Sequence, residues 1–417
     1  MRHISSILAT CVLAAASLSC QAESGPPAAR DGPTASPAAS AAPTAKTTIG
    51  AQVVPDSMDL AAHDPAADGH APGARRKEIT VPVFTVDREY RSMTGPLESM
   101  QVRLTDTPEL LWLTGYRAVM VGEDGTTPMP QDYMCHSNLD LNPTKHQQRF
   151  TNQRVSDGRL FTLSQGQLQI DFPPGFGMPI WSDEDLNLTA QVLNLNPGGD
   201  PVKVRHKITI EFVRDADLKQ PMKPLVSAGV YGMKLVKGDS GYMGLEHPDP
   251  QQHGPGCLPG KAASRSEYSD PQGQIFTGHW VVEPGTEENH TRITPMLNIA
   301  YDTTVHYIAV HLHPFAERVE LRDLTTKETL FESDVQPLDG RIGIERVDYY
   351  SSEKGIPLTT QHEYELVSFY NNTTDKQQDS MAVLYMYTLD KTFDHDRVIR
   401  EGQQAGVQKV ADPKAGA

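Results

Sequence analysis

From Lys77 onward, the chain consists of short runs rich in Val, Ile, Tyr, Thr and Phe, separated by Gly, Pro, Asn and Asp. Long segments with helical periodicity are missing from this part. Many short strands with turn residues between them are typical of a β-sandwich or barrel. The runs fall into two blocks, so we predict an all-β fold of two tandem antiparallel β-sandwiches, jelly-roll-like in form. We expect them at residues 77–220 and 225–395, with a disordered tail at 396–417.

The residues before the sandwiches have the composition of an export signal and a tether. In residues 1–22 a basic start precedes an apolar run, Ile7 to Leu18, that is too short for a permanent membrane helix. Residues 23–76 are dominated by Ala, Pro, Ser, Thr and Gly and lack large apolar side chains. Such a segment cannot bury a core, so we predict a disordered linker. The protein is therefore expected to leave the cytoplasm, and the signal has a bacterial form.

Two processing sites remain open for this signal. The tetrad Ser17–Cys20 resembles a lipoprotein processing box, although its leucine stands one place later than in the usual pattern. Processing there would attach a lipid to Cys20 and anchor the protein to the outer membrane. A cut after Ala22 would instead release the protein into the periplasm.

Charge excludes one class of partner. The chain has 37 Lys and Arg against 53 Asp and Glu, with a formal net charge of −16. A nucleic-acid-binding protein needs a basic footprint. We therefore expect no nucleic acid as a partner.

Four cysteines bear on the compartment and on a metal. Cys11 lies in the signal, and Cys20 is lipidated or removed, which leaves Cys135 and Cys257. In an oxidising compartment such a pair most often forms a disulfide, and we predict one between them. The alternative is that Cys135, next to His136, gives a thiolate to a metal ion.

A His-x-His pair ends an apolar run of strand-forming residues, His306 to Pro314. On a strand, the side chains of His311 and His313 leave the same face, about 6–7 Å apart at a rise of about 3.3 Å per residue. Two imidazoles at this spacing can converge on one metal ion with bonds of about 2 Å. The alternative is a pair of half-exposed strand histidines without a ligand.

Flanking residues extend this pattern. Gly278–Trp280 and Glu283–Gly285 stand upstream of the pair, and a late apolar strand begins at Met381. The succession resembles the C-terminal domain of the copper type II, ascorbate-dependent monooxygenases, the family of peptidylglycine α-hydroxylating monooxygenase and dopamine β-monooxygenase. The resemblance covers roughly residues 275–390. It implies a copper-binding β-sandwich with an oxygen-activating copper site.

The resemblance assigns roles to individual residues. By position, His311, His313 and Met381 match the copper ligands, and Tyr385 matches a tyrosine near the substrate. Imidazole suits both Cu(I) and Cu(II), whereas a thioether is soft and favours Cu(I). Zinc sites rarely use methionine, so Met381 favours copper; its alternative role is core packing. His279 is a candidate for a supporting position near the copper.

The N-terminal half resembles the family less well. Members carry a second, electron-transferring copper, for which Cys135 and His136 stand where a His-His pair belongs and Leu193 stands where a third histidine belongs. His136 is thus a candidate ligand, with an ordinary strand histidine as the alternative. Ala309 stands where peptide-hydroxylating members have a carboxylate-binding arginine, so a peptidyl-glycine substrate is not expected.

Three functions follow from these residues. The first is an exported copper-dependent monooxygenase, an oxidoreductase that hydroxylates a small molecule with dioxygen and an electron donor. The second is a non-catalytic periplasmic copper-binding protein. The third is a metal-free β-sandwich binding module. The departures at the second copper site weaken the first function, because monooxygenation needs two external electrons.

Overall fold

The computed structural model describes residues 49–50, 73–150, 158–237, 267–269 and 274–402. The predicted signal with Cys20, most of the predicted linker, and Cys257 lie outside these ranges. The described residues all belong to one unit, which begins at Thr47. Among them, no helix is both long and apolar enough to cross a membrane.

The described part of the N-terminal region, residues 73–150 and 158–220, contains ten strands, one short α-helix, α1 (Pro143–Arg149), and two single-turn 3-10 helices. Buried and less buried residues alternate along Leu186–Val192 and much of Val202–Arg214, which is typical of strands with one face on a core. Leu110–Gly122 and Phe176–Trp181 are instead buried along almost their whole length. A two-residue strand, β1 (Ile49–Gly50), precedes the region. The strands are β2 (Arg75–Thr80), β3 (Phe84–Val86), β4 (Leu97–Val102), β5 (Leu110–Gly122), β6 (Met134–Leu141), β7 (Arg159–Leu163), β8 (Gln169–Asp171), β9 (Phe176–Trp181), β10 (Leu186–Val192) and β11 (Val202–Arg214).

The C-terminal region, residues 223–402, also consists mainly of strands; its described helical segments are α2 (Thr294–Leu297) and residues 395–402. Its strands are β12 (Lys223–Tyr231), β13 (Lys234–Lys237), β14 (Glu267–Ser269), β15 (Ile275–Thr277), β16 (Trp280–Val282), β17 (Gly285–Arg292), β18 (Thr303–Leu312), β19 (Ala316–Asp323), β20 (Glu328–Pro337), β21 (Ile344–Val347), β22 (Tyr349–Leu358), β23 (Tyr364–Asn372), β24 (Gln378–Ser380) and β25 (Ala382–Leu389).

Sheets pack face to face, which confirms the predicted all-β sandwich class. The largest sheet follows the order β1-β22-β18-β25-β12-β9-β5-β11-β2 and therefore runs through both regions. Its N-terminal part and the sheet β4-β10-β6-β7 share one core, and its C-terminal part and the sheet β17-β23-β19-β20-β21 share a second. Strands β9 and β12 join the two parts through a parallel pair. The boundary between the predicted sandwiches stays a prediction.

Two adjacent strands, β18 and β25, are buried on both faces. Ile308 and Leu384 belong to the C-terminal core, whereas Tyr307 and Tyr385 belong to the core of the N-terminal region. Burial on both faces explains why these strands are almost continuously apolar in sequence. The polar histidines of β18 consequently stand in a closed environment between the two regions.

Two predicted boundaries are corrected. Strand β2 begins at Arg75, inside the predicted linker, which was expected to reach residue 76. Residues 395–402 are helical, although a disordered tail was predicted from residue 396. The reason lies in Val398, which is buried in a small apolar cluster with Trp112 and Phe150. Burial of such a side chain contributes about 1.5–3 kcal/mol and offsets the entropy of ordering the segment.

Candidate metal centre

The alternation of β18 directs the His-x-His pair toward the N-terminal region. Tyr307 and Ala309 point to the N-terminal core, and His311 and His313 continue this face of the strand. The centres of the two imidazole rings lie 5.4 Å apart. Each residue is only 7% exposed, so these are not the half-exposed strand histidines of the alternative interpretation.

His311 is buried with a polar atom unsatisfied. Its Nδ1 atom has no hydrogen-bond partner. Burial, aided by the nearby charge of His313, lowers the pKa of His311 well below its usual value. The imidazole is therefore neutral at neutral pH, which is the form that binds a metal.

His306, on the same strand, has the opposite character. Its Nδ1 lies 2.9 Å from the carbonyl oxygen of Ser352, and its Nε2 lies 2.7 Å from Oγ1 of Thr304. Both ring nitrogens therefore have partners, and His306 fits a structural role. The contrast identifies His311 as the histidine of β18 with unused binding capacity.

His313 lies between two further polar groups. Its Nδ1 is 2.9 Å from Oδ2 of Asp379, and its Nε2 is 3.4 Å from Oγ of Ser92. The same Oδ2 lies 3.4 Å from Nε2 of His279. One donor atom from each of His279, His313 and Asp379 lies within 4.8 Å of the others; the two histidines are buried and Asp379 is largely buried.

Electrostatics keep Asp379 ionised in this site. Burial alone would raise the pKa of its carboxyl group, but the imidazoles of His279 and His313 outweigh burial and hold the pKa well below its usual range. A buried carboxylate beside two imidazoles is a donor set that binds zinc, copper or iron. The structure therefore brings His279, the candidate for a supporting position, into the site.

Asp379 and Ser92 were missed by sequence reasoning. Asp379 reaches the site because β24 pairs with β16, which begins directly after His279. Ser92 comes from a loop of the N-terminal region, 221 residues before His313 in the sequence. Neither contact has a local sequence signal, although the placement of Asp379 two residues before Met381 could have pointed to it.

Met381 lies beside His313 across the strand pair β18–β25. The backbone N–H of His313 donates to the carbonyl oxygen of Met381 at 3.3 Å. Because directly opposed residues have Cβ atoms about 4.5–5.5 Å apart, the thioether is within reach of the imidazoles. The side chain is partly buried and packs against the N-terminal core. Both the ligand role and the packing role remain compatible with this position.

Tyr385 pairs with Ala309 in the same two strands. It is 5% exposed, and its ring packs edge-on against Tyr231 at 6.4 Å between centres. This environment is core packing, and Tyr385 is not among the residues that line the pocket beside His311. Its predicted substrate contact stays a prediction.

A pocket opens between the two regions at the His-x-His pair. Side chains of both regions line it, so the site depends on their packing. The N-terminal region contributes Ser92, Met134, Cys135 and Leu193, and the C-terminal region contributes His311, His313, Phe315 and Asp379.

Cys135 and His136 both lie near this pocket. Among the described residues Cys135 has no disulfide partner, and burial raises the pKa of its thiol to about 11, so an unpaired Cys135 is protonated at neutral pH. Its predicted partner, Cys257, lies outside the described residues, and the disulfide stays a prediction. Burial, together with the charge of Arg159, lowers the pKa of His136 to about 3. His136 is outside the group formed by His279, His313 and Asp379.

Comparisons with known proteins add little. No family model and no curated protein matches the chain. Among solved structures, VP54 of PBCV-1 fitted into the virophage Sputnik is similar at 9% identity, covering 77% of this chain and 95% of that chain with a TM-score of 0.28. A putative membrane anchored protein from Corynebacterium diphtheriae is similar at 10% identity, covering 76% and 96%, with a TM-score of 0.15. These TM-scores are too low to carry an argument about fold or function.

Proposed function

We propose that this exported protein binds one copper ion through His311, His313 and Met381 and is a monooxygenase acting on a small molecule. The observation that carries the proposal is His311, whose buried Nδ1 has no partner while its ring lies 5.4 Å from that of His313. An unsatisfied buried polar atom costs about 1–3 kcal/mol, which metal binding at this imidazole pair would offset.

The donor set fits copper. Two neutral imidazoles suit both oxidation states, and the thioether of Met381 adds preference for Cu(I). The three residues also occur in the order and strand context that resemble the copper type II monooxygenases. When bound, copper would supply one-electron redox chemistry with dioxygen.

The walls of the pocket indicate the kind of substrate. Leu193, Leu195 and Phe315 provide apolar surface, whereas Gln165 and Gln378 provide uncharged polar groups. The carboxylate of Asp379 is engaged by imidazoles. The cavity has a volume of about 20 Å³, room for about one water molecule, so only the reacting end of a substrate would enter it. A small, uncharged and mainly apolar molecule matches these walls best. Its hydroxylation would insert one oxygen atom into a C–H bond and release the other as water, with two electrons and two protons from an external one-electron reductant.

Copper titration of the purified protein tests the binding step. We expect one tightly bound Cu(I) ion per chain. We expect His311→Ala to abolish this binding, because the imidazole of His313 and the thioether of Met381 cannot hold Cu(I) alone and the carboxylate of Asp379 is a hard ligand that suits Cu(I) poorly. His290→Ala is the matched control, since His290 pairs with Glu288 and Glu365 on a different sheet. Equal copper affinity in the wild type and His311→Ala would contradict the proposal.

A non-catalytic copper-binding protein is the second candidate. The observation that favours it is that, within the described parts of the chain, only one group of three His, Cys, Asp or Glu donors converges, and it contains neither His136 nor Cys135. A second, electron-transferring copper therefore lacks support in the N-terminal region. Ascorbate-dependent oxygen consumption separates the two: uptake above a copper-free control supports the monooxygenase, and copper binding without uptake supports the second candidate.

A further inference from the structure

His279, His313 and Asp379 meet on the side of His313 that faces away from Ser92. Nδ1 of His313 and Nε2 of His279 lie 2.9 and 3.4 Å from the same carboxylate atom, Oδ2 of Asp379. Side-chain exposure is 9% for His313, 4% for His279 and 9% for Asp379. The three donors come from three separate segments, so their convergence is a product of the fold.

The short contact between His313 and Asp379 is not a hydrogen bond. Although the two atoms lie 2.9 Å apart, Nδ1 of His313 has no partner in hydrogen-bonding geometry. A hydrogen bond needs the N–H to point at its acceptor. Donors around a metal behave differently, because their lone pairs point at the ion and not at one another. With bonds of about 2.0–2.1 Å and tetrahedral angles, such donors lie about 3.3–3.4 Å apart.

We propose that His279, His313 and Asp379 form a second metal site, for a divalent ion of the zinc type. Two imidazole nitrogens and one carboxylate oxygen are a ligand set that zinc uses when its fourth position is left to water or to another molecule. The observed separations of 2.9 and 3.4 Å from Oδ2 of Asp379 are within a few tenths of an ångström of this geometry, and the donor atoms of the two imidazoles lie within 4.8 Å of each other. Iron(II) also binds such a set and is an outcome of the test.

The zinc site stands without the proposed copper site, because only His313 is common to both. Zinc uses Nδ1 of His313, which leaves Nε2 for the other ion. If both ions bind at once, the imidazole releases its remaining proton to solvent, as metal binding at protonated ligands requires. The two sites are therefore separable by substitution.

The experiment is a set of titrations of purified, metal-free protein with Zn²⁺ alone, with Fe(II) alone and with Cu(I) alone. For Asp379→Asn and His279→Gln we expect zinc affinity to fall by at least about 100-fold, with copper affinity changed less than about tenfold. For His311→Ala we expect copper affinity to fall by at least about 100-fold and zinc affinity to change less than about tenfold. His290→Ala is the control for both metals. A melting curve for each variant checks that it is folded.

Several results would overturn the zinc site. The first is that the wild-type protein binds no Zn²⁺. The second is that Asp379→Asn or His279→Gln leaves the zinc affinity unchanged. The third is that the wild type binds Fe(II) selectively instead of Zn²⁺. If Asp379→Asn loses copper binding but keeps zinc binding, the carboxylate supports the copper ligands, and the zinc site is overturned. If the variants do not fold, X-ray absorption at the zinc edge of the loaded wild type decides: two imidazoles and oxygen ligands are expected, and one imidazole or a sulfur ligand contradicts the site.

Discussion

Both regions of the molecule bury histidines, but among the described residues only the C-terminal region brings three possible metal donors within 4.8 Å of one another. In the N-terminal region, burial lowers the pKa of His136 to about 3 and that of His206 to about 4. His206 is fully buried and packs edge-on against Phe84 at 6.0 Å between ring centres. These residues are neutral imidazoles in a core and have no carboxylate joining them.

In the C-terminal region the surroundings differ. The ring of His313 lies 5.4 Å from the ring of His311 on one side and 5.4 Å from that of His279 on the other. Asp379 adds a negative charge that contacts two of these imidazoles. The comparison teaches that burial prepares a histidine for a metal by keeping it neutral, but that a centre forms only where several donors meet around a compensating charge.

The largest effect is expected at His313, which belongs to both proposed sites. His313→Ala should lose copper and zinc together, whereas substitution of His311 should lose only copper and substitution of His279 or Asp379 only zinc. Metal content of the dialysed, metal-loaded protein, measured by mass spectrometry, tests this. If folded His313→Ala keeps both ions, the histidines of the C-terminal region do not form the proposed metal centre, and the contrast with the N-terminal region is lost.

The next largest effect is expected on the free energy of unfolding, which should fall at low pH because of His206 in the N-terminal region. The pKa of His206 is about 4 in the folded protein, against a usual value of 6.5. Between these values the unfolded chain binds a proton that the folded protein does not, so stability is complete above pH 6.5 and falls as the pH drops toward 4. One pK unit corresponds to about 1.4 kcal/mol, so His206 should account for about 2–3 kcal/mol of lost stability between pH 7.5 and 4.5.

Urea denaturation at these two pH values measures the effect. His206→Leu should lose less stability on acidification than the wild type, since it has no proton to bind at this position. His290→Ala serves as the comparison, because this side chain is 34% exposed. Equal losses in His206→Leu and the wild type would show that His206 is not held neutral by the core.

A smaller effect is expected at Met381. Met381→Ile should spare Cu(II), which two imidazoles and water still suit, and weaken Cu(I) by about tenfold, or about 1.4 kcal/mol. A methionine that only packs would change stability without changing the preference between oxidation states. Parallel competition titrations with Cu(I) and Cu(II) chelators measure the two affinities, and equal Cu(I) affinity would remove Met381 from the site.

The smallest effect is expected at His136. His136→Gln should leave the number of bound metal ions unchanged, because no described group of three donors includes His136. Metal analysis of the loaded variant measures this. Loss of one ion would place a metal in the N-terminal region, as the resemblance to the two-copper monooxygenases first suggested.

Sequence patterns were sufficient to predict the fold class and some residues of the candidate metal centre. Alternation along β18 placed His311 and His313 on one face, and the apolar run after Met381 predicted its pairing strand, because both signals are local. Asp379 and Ser92 were not predictable in the same way. Their contacts with His313 depend on the pairing of β16 with β24 and on the packing of the two regions, which are set by residues distant in sequence.

Burial of the site was also beyond sequence reasoning. The His-x-His motif is equally compatible with an exposed strand edge and with a closed environment. Only the largest sheet, which runs through both regions by way of β9 and β12, brings the N-terminal core against this face of β18. The helical residues 395–402 escaped prediction for the same reason, since Val398 is held by Trp112 from the other region.

Copper binding by the double variant His311→Ala/His313→Ala, compared with the wild type, tests the central claim most directly. We expect the wild type to bind one copper ion tightly and the folded double variant to bind none. Full copper binding by the double variant would contradict the proposed copper centre and leave a binding module without this metal site.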